Sequence, residues 1–122
     1  MKCFDPNNSR WESKVNYVDV NNRLVGFDMD SSWREYFGHG VFAALPVDSA
    51  ELTSPVEADI EPYSFADEEP TLITDRYNEG GTLCFRICAD KLPDLWVCIW
   101  NHHNGHYGHG FTHWRRDGIG IL

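Results

Sequence analysis

The side chains best suited to chemistry or to ligand stacking are concentrated in the C-terminal third of the chain. This segment contains Trp96, Trp100, His102, Tyr107, His109 and His113, with His103 and His106 between them. Imidazoles bind metal ions or transfer protons near neutral pH, while indole and phenol rings anchor ligands and protein partners. What these groups can do depends on which of them become neighbours in the fold.

A tight turn at Asn104-Gly105 is the strongest local signal for how they are positioned. Asn-Gly between two β-rich runs is typical of a two-residue hairpin loop. In that register Trp100 lies opposite His109, and Trp96 lies opposite His113. Two earlier runs, over 82–89 and 95–101, are joined by a short turn with Pro93. We therefore expect a three-stranded antiparallel sheet here.

The alternation of side chains sorts this predicted sheet into two faces. One face is aliphatic and is expected to be core; it carries Leu83, Phe85, Ile87, Leu95, Val97 and Ile99. The other face carries Cys84, Arg86, Cys88, Cys98, Phe111 and the tryptophan, tyrosine and histidine side chains named above. Two interpretations of this second face stay open: the N-terminal strands cover it, or part of it is a contact surface.

Neither metal chemistry nor catalysis is predicted. His103 with His106, or His102 with His109, could share a zinc ion, but no third ligand accompanies either pair. Cys98 beside His109 is a geometric possibility for nucleophilic chemistry and nothing more. The chain has no phosphate-binding loop, no Gly-x-Ser-x-Gly elbow and no His-Glu-x-x-His motif. We therefore assign no catalytic residue, metal ligand or cofactor.

The four cysteines are Cys3, Cys84, Cys88 and Cys98. Cys84 and Cys88 are too far apart along one strand to form a disulfide. There is no signal-peptide-like run, and no stretch of about 18 apolar residues that could span a membrane. We therefore expect small buried thiols in a cytoplasmic protein, where cysteines stay reduced.

Negative charge is concentrated in the middle of the chain. The protein has 122 residues and a formal net charge of -9, and residues 46–81 carry this excess, including the run Asp67, Glu68 and Glu69. Four prolines interrupt the same segment, so we expect a long acidic surface loop. This charge argues against nucleic acid or an anionic membrane as a partner.

The pattern of the whole chain indicates one mainly β domain over residues 1–122. Runs over 14–20 and 23–29 flank a turn at Asn21-Asn22, and 33–42 is interpreted as a strand rather than a short helix starting at Ser32. We expect an antiparallel meander or small sandwich with at most one or two short helices, and an α+β arrangement is the alternative.

The segment from Trp100 to Phe111 resembles a hairpin of uncharacterised small bacterial and phage β-rich proteins. Those proteins show an aromatic strand followed by Asn-Gly-Tyr-Tyr-Ser; here His106 stands in place of the first Tyr and Gly108 in place of Ser. Residues 26–36 are similar to an earlier strand pair of the same proteins. The resemblance implies a compact β-rich domain. It carries no functional residue over, because that family has no established activity.

These features favour a protein-binding module, inhibitor-like or immunity-like in form. Asp67, Glu68 and Glu69 would attract a protein partner with a basic patch, and the aromatic face with Arg86 would anchor it. The alternative is a small-molecule or sugar binder that stacks its ligand on Trp96, Trp100 and Tyr107. A Cys/His-based or metal-dependent enzyme is the third hypothesis. An exposed aromatic face would also permit a symmetric homodimer.

Overall fold

The computed structural model describes residues 1–3, 16–27, 36–46, 55–74, 80–102 and 110–121. The strands are β1 (Lys2–Cys3), β2 (Tyr17–Val18), β3 (Leu24–Phe27), β4 (Tyr36–Phe42), β5 (Ser64–Phe65), β6 (Thr71–Thr74), β7 (Gly80–Cys88), β8 (Leu95–His102), β9 (Gly110–His113) and β10 (Arg116–Ile121). The described ranges contain no helix, and every strand pairing is antiparallel. The predicted mainly β fold is confirmed.

The strands form two sheets. Sheet A has the order β1-β2-β3-β9-β10, and sheet B has the order β4-β8-β7-β5, with β6 also paired to β7. One hydrophobic core joins them, since Tyr17 and Val25 of sheet A cluster with Phe85, Val97 and Ile99 of sheet B. None of the described segments is a helix long and apolar enough to cross a membrane.

The predicted hairpin of 82–89 and 95–101 is confirmed as β7 and β8. Leu83 pairs with Ile99, Phe85 with Val97, and Ile87 with Leu95. These six side chains are buried and form the sheet B side of the core. Alternating apolar residues set this face because every second side chain of a strand points to the same side.

The third strand of the predicted sheet is in a different place. Trp100 lies between Gly38 and Thr82, and Trp96 lies between Phe42 and Arg86. The predicted neighbour of Trp96, His113, instead belongs to β9, which pairs with β3 and β10 in sheet A. The prediction is wrong because β4 and β7 occupy both edges of β8. The Asn104-Gly105 turn and His109 lie outside the described residues.

The hairpin of β2 and β3 is confirmed, with a loop one residue longer than predicted. Val18 pairs with Leu24 and the N–H of Asp19 donates to the carbonyl of Arg23 at 3.0 Å, so Val20, Asn21 and Asn22 form the loop. Asn22 has a φ of 59°, a left-handed conformation that Asn tolerates. The register places Tyr17 opposite Val25, and both side chains reach the core.

The buried Asp19 carboxylate stabilises this loop and ties it to the neighbouring sheet. Its Oδ1 accepts hydrogen bonds from the backbone N–H groups of Asn21 at 3.0 Å and Arg23 at 2.9 Å. Its Oδ2 accepts from the N–H of Phe65 in β5 at 3.0 Å. These bonds add to the backbone hydrogen bonds of the loop, in which the N–H of Asp19 donates to Arg23 and that of Asn22 donates to Asp19.

Residues 36–42 form β4, as the strand interpretation predicted, while 33–35 lie outside the described residues. The acidic segment 46–81 is not a single loop, because it contains β5, β6 and the start of β7. Pro62 and Pro70 precede β5 and β6, where a missing N–H interrupts no ladder. This segment therefore builds one edge of sheet B.

Candidate functional site

The side of sheet B that faces away from the core carries the aromatic residues of interest. We call this side the outer face. Its three cross-strand rows are Gly38, Trp100 and Thr82; Gly40, Cys98 and Cys84; and Phe42, Trp96 and Arg86. A second, small hydrophobic cluster lies on it, separate from the main core. The prediction that Trp96, Trp100 and Arg86 share one face is confirmed.

A disulfide between Cys84 and Cys98 lies at the centre of the outer face. The two residues are directly opposite each other in β7 and β8, with Cα atoms 4.2 Å apart. The expectation of reduced thiols at these positions is therefore wrong. Spacing along one strand excluded Cys84 with Cys88, but the partner of Cys84 lies across the hairpin. Cys3 and Cys88 are not in a disulfide.

The disulfide is covered by hydrophobic side chains. Cys84 is 1% exposed and Cys98 is 0% exposed. The buried Phe42 ring contacts them, and Leu45, Ile73, Trp96 and Trp100 pack around this cluster. Trp96 and Trp100 themselves are only half-buried. They thus present indole surface to solvent above a rigid, cross-linked pair of strands.

Two glycines bring the aromatic rings close to the backbone. A Cβ at Gly38 would lie 2.8 Å from the Trp100 ring, so the indole lies directly on β4. A Cβ at Gly40 would lie 3.2 Å from the Phe42 ring and from Pro55. Phe42 and Trp100 meet edge to face, with centroids 6.0 Å apart. Because Gly38 and Gly40 lack side chains, the Trp100 and Phe42 rings can pack against the backbone of β4 instead of projecting away from the sheet.

Arg86 occupies the end of the outer face next to Trp96. Its Nε and NH2 donate to the two carboxylate oxygens of Glu68 at 2.7 and 2.9 Å, and its NH1 donates to Asp94 at 3.1 Å. The hydrogen bonds from Arg86 hold the pKa of Glu68 below its ordinary value. The hydrogen bonds that Arg86 donates to Glu68 and Asp94 raise the pKa of Arg86. This predicted contact residue is thus paired within its own chain.

The side chains of Asp67 and Glu69 point towards sheet A. Arg115, in the turn between β9 and β10, donates to Asp67 at 2.6 Å and to Glu69 at 3.1 Å. Since Glu68 binds Arg86 of sheet B, the three acids join both sheets. Asp67 and Glu69 remain 70% and 58% exposed, so their charge still faces solvent. The sequence offered no signal for these long-range pairs.

Trp114 contacts two arginines, and the sequence did not predict these contacts. Its ring lies 4.5 Å from the Arg23 guanidinium carbon and 5.4 Å from that of Arg115. Arg23 also donates to the carbonyl of Phe65 at 3.2 Å. Arginines near an indole ring gain cation–π attraction. The group fixes Arg115, and through it the acidic residues, at the margin of the sandwich.

His113 does not share a surface with Trp96 and Trp100. It is 7% exposed in sheet A and its ring lies 5.2 Å from Phe85 and 6.0 Å from Phe111. Both His113 and Phe111 thus face the main core. The error has the same cause as the wrong strand pairing, because β9 belongs to sheet A.

Of the remaining predicted site residues, His102 has a described backbone. The backbone of His102 ends β8, opposite Tyr36 and Gly80. Its side chain, together with Tyr107, His109 and the pair His103 and His106, lies outside the described residues. Within the described ranges no three His, Cys, Asp or Glu side chains are close enough to hold a metal ion.

A second acidic group lies on the segment that leaves the edge of β4. The N–H of Val56 donates to the carbonyl of Val41 at 2.8 Å, which places Val56 beside this strand. Glu57, Asp59 and Glu61 follow and are exposed, and the carbonyl of Glu61 accepts from the Met1 amino group at 2.6 Å. We call these three residues the acidic edge.

Comparisons with protein-family models, with curated proteins and with solved structures found no match to this chain.

Proposed function

We propose that the protein is a protein-binding module that contacts its partner through the outer face of sheet B. The observation that carries the proposal is the pair of half-buried tryptophans, Trp96 and Trp100, on the side of the sheet opposite the core. Large aromatic rings held rigidly within a polar margin are typical of the residues that dominate binding energy at interfaces. The Cys84–Cys98 disulfide beneath them holds β7 and β8 together.

The charge at the margins of this face supports a basic partner. The acidic edge follows Val56, which lies beside β4, and Glu68 and Asp94 surround Arg86 at the Trp96 end. With a net charge of -9, the protein would attract lysine- and arginine-rich surfaces and accelerate their association. An arginine or lysine of the partner could also stack on an indole ring. An inhibitor or immunity protein for a basic target is one form of this proposal.

A sugar or small-molecule ligand is the second candidate. It is favoured by the position of Trp100, whose indole lies on Gly38 and so leaves its opposite side turned away from the strand. Such a platform can stack on an apolar ligand ring. A homodimer through the same face would bring two chains of charge -9 together, and this repulsion disfavours it.

A salt series with charge variants tests the proposal. Immobilised protein would capture proteins from a host lysate at increasing NaCl. We expect basic proteins to be retained at about 50 mM salt and released near 500 mM, since screening shortens the range of the attraction. Glu57→Gln and Glu61→Gln should each weaken retention. Asp117→Asn removes one charge from β10 of sheet A and is the matched control.

Two outcomes would contradict the proposal. One is retention that is the same at all salt concentrations and in all variants. The other is specific binding on a glycan array without any retained protein, which would favour the sugar binder. Equal loss of retention in the Asp117→Asn control would show that net charge alone, rather than the acidic edge, attracts the partner.

The cytoplasmic location expected from the sequence belongs to the same proposal and has its own test. Disulfides of cytosolic proteins are usually transient, whereas they persist in oxidising compartments. A cytoplasmic location therefore requires that burial protects the Cys84–Cys98 disulfide from cellular reductants, and the two cysteines are 1% and 0% exposed. Cell fractionation measures the location directly: we expect the protein in the cytosolic fraction, and its recovery from an oxidising compartment would contradict this part of the proposal.

A further inference from the structure

Strand β6 is an edge of sheet B whose outer side has no partner strand in the described part of the chain. It pairs only with β7 there, and no backbone hydrogen bond outside the strand ladders of the described residues involves residues 71–74. Native sheets protect such edges with lysine, proline or a bulge. The sequence Thr-Leu-Ile-Thr has no charged residue and no proline, and its register on β7 is regular. The strand is therefore suited to pair with a further strand.

The backbone direction of β6 follows from its neighbour β7. The carbonyl of Arg86 accepts from the N–H of Ala66 at 3.0 Å, so the backbone groups of Arg86 point to the side of β7 that holds β5 and β6. Backbone groups alternate along a strand, so those of Thr82 and Cys84 point to the same side. The Cα separation of 4.2 Å between Cys84 and Cys98 agrees, because opposite residues without mutual hydrogen bonds lie about 4.5 Å apart.

This direction determines which backbone groups of β6 are turned outwards. Thr71 and Ile73 lie directly opposite Cys84 and Thr82, so they exchange hydrogen bonds with β7. The N–H and C=O groups of the alternate residues, at positions 72 and 74, then point away from β7. The outer side of β6 thus presents two donors and two acceptors with the spacing that an added strand requires.

The side chain of Leu72 leaves apolar surface at this edge. Leu72 lies opposite Leu83 and so on the core-facing side of sheet B, yet it is 57% exposed. A residue of an added strand directly beside it would be about 5 Å away between Cβ atoms. An apolar side chain there would remove this leucine from water, which is favourable.

The charge near the start of β6 favours a basic segment. Arg86 and Arg115 bind four carboxylates between them, which leaves an excess of two negative charges. The carboxylates are those of Asp67, Glu68, Glu69 and Asp94. A lysine or arginine of an added strand would be attracted to this end. A second copy of the chain would instead bring the same excess and a net charge of -9, which disfavours self-pairing.

We propose that the partner protein adds an extended segment to β6, with an apolar residue beside Leu72 and a lysine or arginine near residues 67–69. Main-chain hydrogen bonds to Leu72 and Thr74 would supply affinity, and the side chains would supply specificity. This inference rests on the proposed function for the existence of a basic partner and adds how its backbone is bound. Thr71 and Ile73 belong to the outer face, so an added strand would extend that face.

Amide hydrogen exchange with a defined peptide tests the proposal. The peptide is a short synthetic strand of alternating lysine and valine, and its control has glutamate in place of each lysine. In the free protein, we expect NMR to show faster exchange at Leu72 and Thr74 than at Thr71 and Ile73. The lysine peptide should slow exchange at Leu72 and Thr74 several-fold, and the glutamate peptide should leave it unchanged.

Two variants separate the backbone contribution from that of the side chain. Leu72→Pro removes one outward N–H and leaves the ladder to β7 intact, since proline is tolerated where an edge N–H faces solvent. Leu72→Thr removes the same apolar side chain but keeps the N–H, and is the matched control. We expect Leu72→Pro to weaken binding of the lysine peptide about tenfold and Leu72→Thr clearly less. Fluorescence anisotropy measures the affinity, and near-UV circular dichroism checks the fold.

A modified peptide provides a second measurement that does not depend on the variant folding. Only every second N–H of an added strand faces β6. N-methylation of either all valines or all lysines should therefore abolish binding, while methylation of the other residue type should not. Equal effects of the two methylation patterns would overturn the proposal.

Other outcomes would overturn it as well. These are no binding of the lysine peptide, unchanged exchange at Leu72 and Thr74 in the bound protein, and equal affinity of Leu72→Pro and Leu72→Thr. A concentration-dependent dimer that Leu72→Pro abolishes would show that a second copy occupies the edge. None of these results decides the proposed function, which the salt series tests. Salt-sensitive retention that persists in Leu72→Pro would exclude β6 and leave the outer face as the contact.

Discussion

Glu68 binds Arg86 through both of its carboxylate oxygens, at 2.7 and 2.9 Å, at the end of the outer face. Its neighbours Asp67 and Glu69 bind Arg115, at the margin of the other sheet. Because the chain bends at residues 67 and 68, these side chains point to different sides and one short acidic run contacts both layers of the sandwich. Its charge is exposed, yet each acid has a partner within the chain.

Replacing Glu68 by Gln should make the free energy of unfolding less sensitive to a fall in pH. Arg86 holds the Glu68 pKa lower in the folded protein than in the unfolded chain, so the ion pair stabilises the fold above the unfolded pKa. This contribution is lost as pH falls through the folded pKa. The effect is small because the pair is exposed. Urea unfolding at pH 7 and pH 3.5 measures it, and Glu57→Gln is the charge-matched control. An unchanged pH dependence in Glu68→Gln would contradict the assignment.

Stability should also fall in alkali because of Tyr17. Burial raises its pKa in the folded protein, so below about pH 10 both states are neutral and nothing changes. Above that pH the unfolded tyrosine ionises while the folded one does not, which favours unfolding. Tyr17→Phe should flatten this decline, at a cost of about 0.5–1.5 kcal/mol at neutral pH from the lost hydrogen bond with Nδ1 of His39. Denaturant unfolding at pH 8 and pH 11 compares the two proteins; an equally steep alkaline decline in Tyr17→Phe would exclude this role.

Gly38→Ala should displace Trp100. A Cβ at Gly38 would lie 2.8 Å from the ring, closer than side chains approach each other, so the indole must move. We expect a loss of about 1–3 kcal/mol in the free energy of unfolding, as for other overpacked sites. Gly40→Ala is the comparison, because its nearest contacts are 3.2 Å away. If Gly38→Ala left the near-UV spectrum unchanged and cost no more than Gly40→Ala, Trp100 would not lie on β4.

The Cys84–Cys98 disulfide should contribute measurably to stability. It closes a loop with a sequence separation of 14, for which chain entropy gives about 3 kcal/mol. Cys84→Ala/Cys98→Ala should therefore unfold at lower urea concentration, and the wild type should shift to match it when dithiothreitol is present. Thiol titration of the denatured protein under non-reducing conditions is the independent check. Detection of all four cysteines as thiols in the wild type would contradict the bond.

Local patterns in the sequence predicted one sheet well and its third strand wrongly. Alternating apolar residues identified β7 and β8, their pairing and their core face, because these two strands are joined by a short turn. The Asn-Gly signal at 104 and 105 describes only a local bend. Whether the next strand pairs with β8 depends on a free edge, and β4, which comes from a distant part of the chain, occupies that edge.

The candidate site could be predicted from the sequence only where its residues lie on β7 and β8. Trp96, Trp100 and Arg86 were placed on one face by alternation along two adjacent strands. The ion pairs of Asp67 and Glu69 with Arg115 depend on how the two sheets pack, which no local pattern encodes. The Asp19 carboxylate accepts a hydrogen bond from the N–H of Phe65 in β5, and no local pattern predicts this tertiary contact either.

Site-specific photo-crosslinking tests most directly whether the outer face of sheet B binds a protein. A photoreactive phenylalanine derivative would replace Thr71, an exposed residue opposite Cys84, or Val20, which is 78% exposed in the loop between β2 and β3. In cells of the native host, we expect a basic protein to be crosslinked at position 71 and not at position 20, with less product when lysates are irradiated at high salt. Equal crosslinking at both positions, or crosslinking at position 20 alone, would contradict the account.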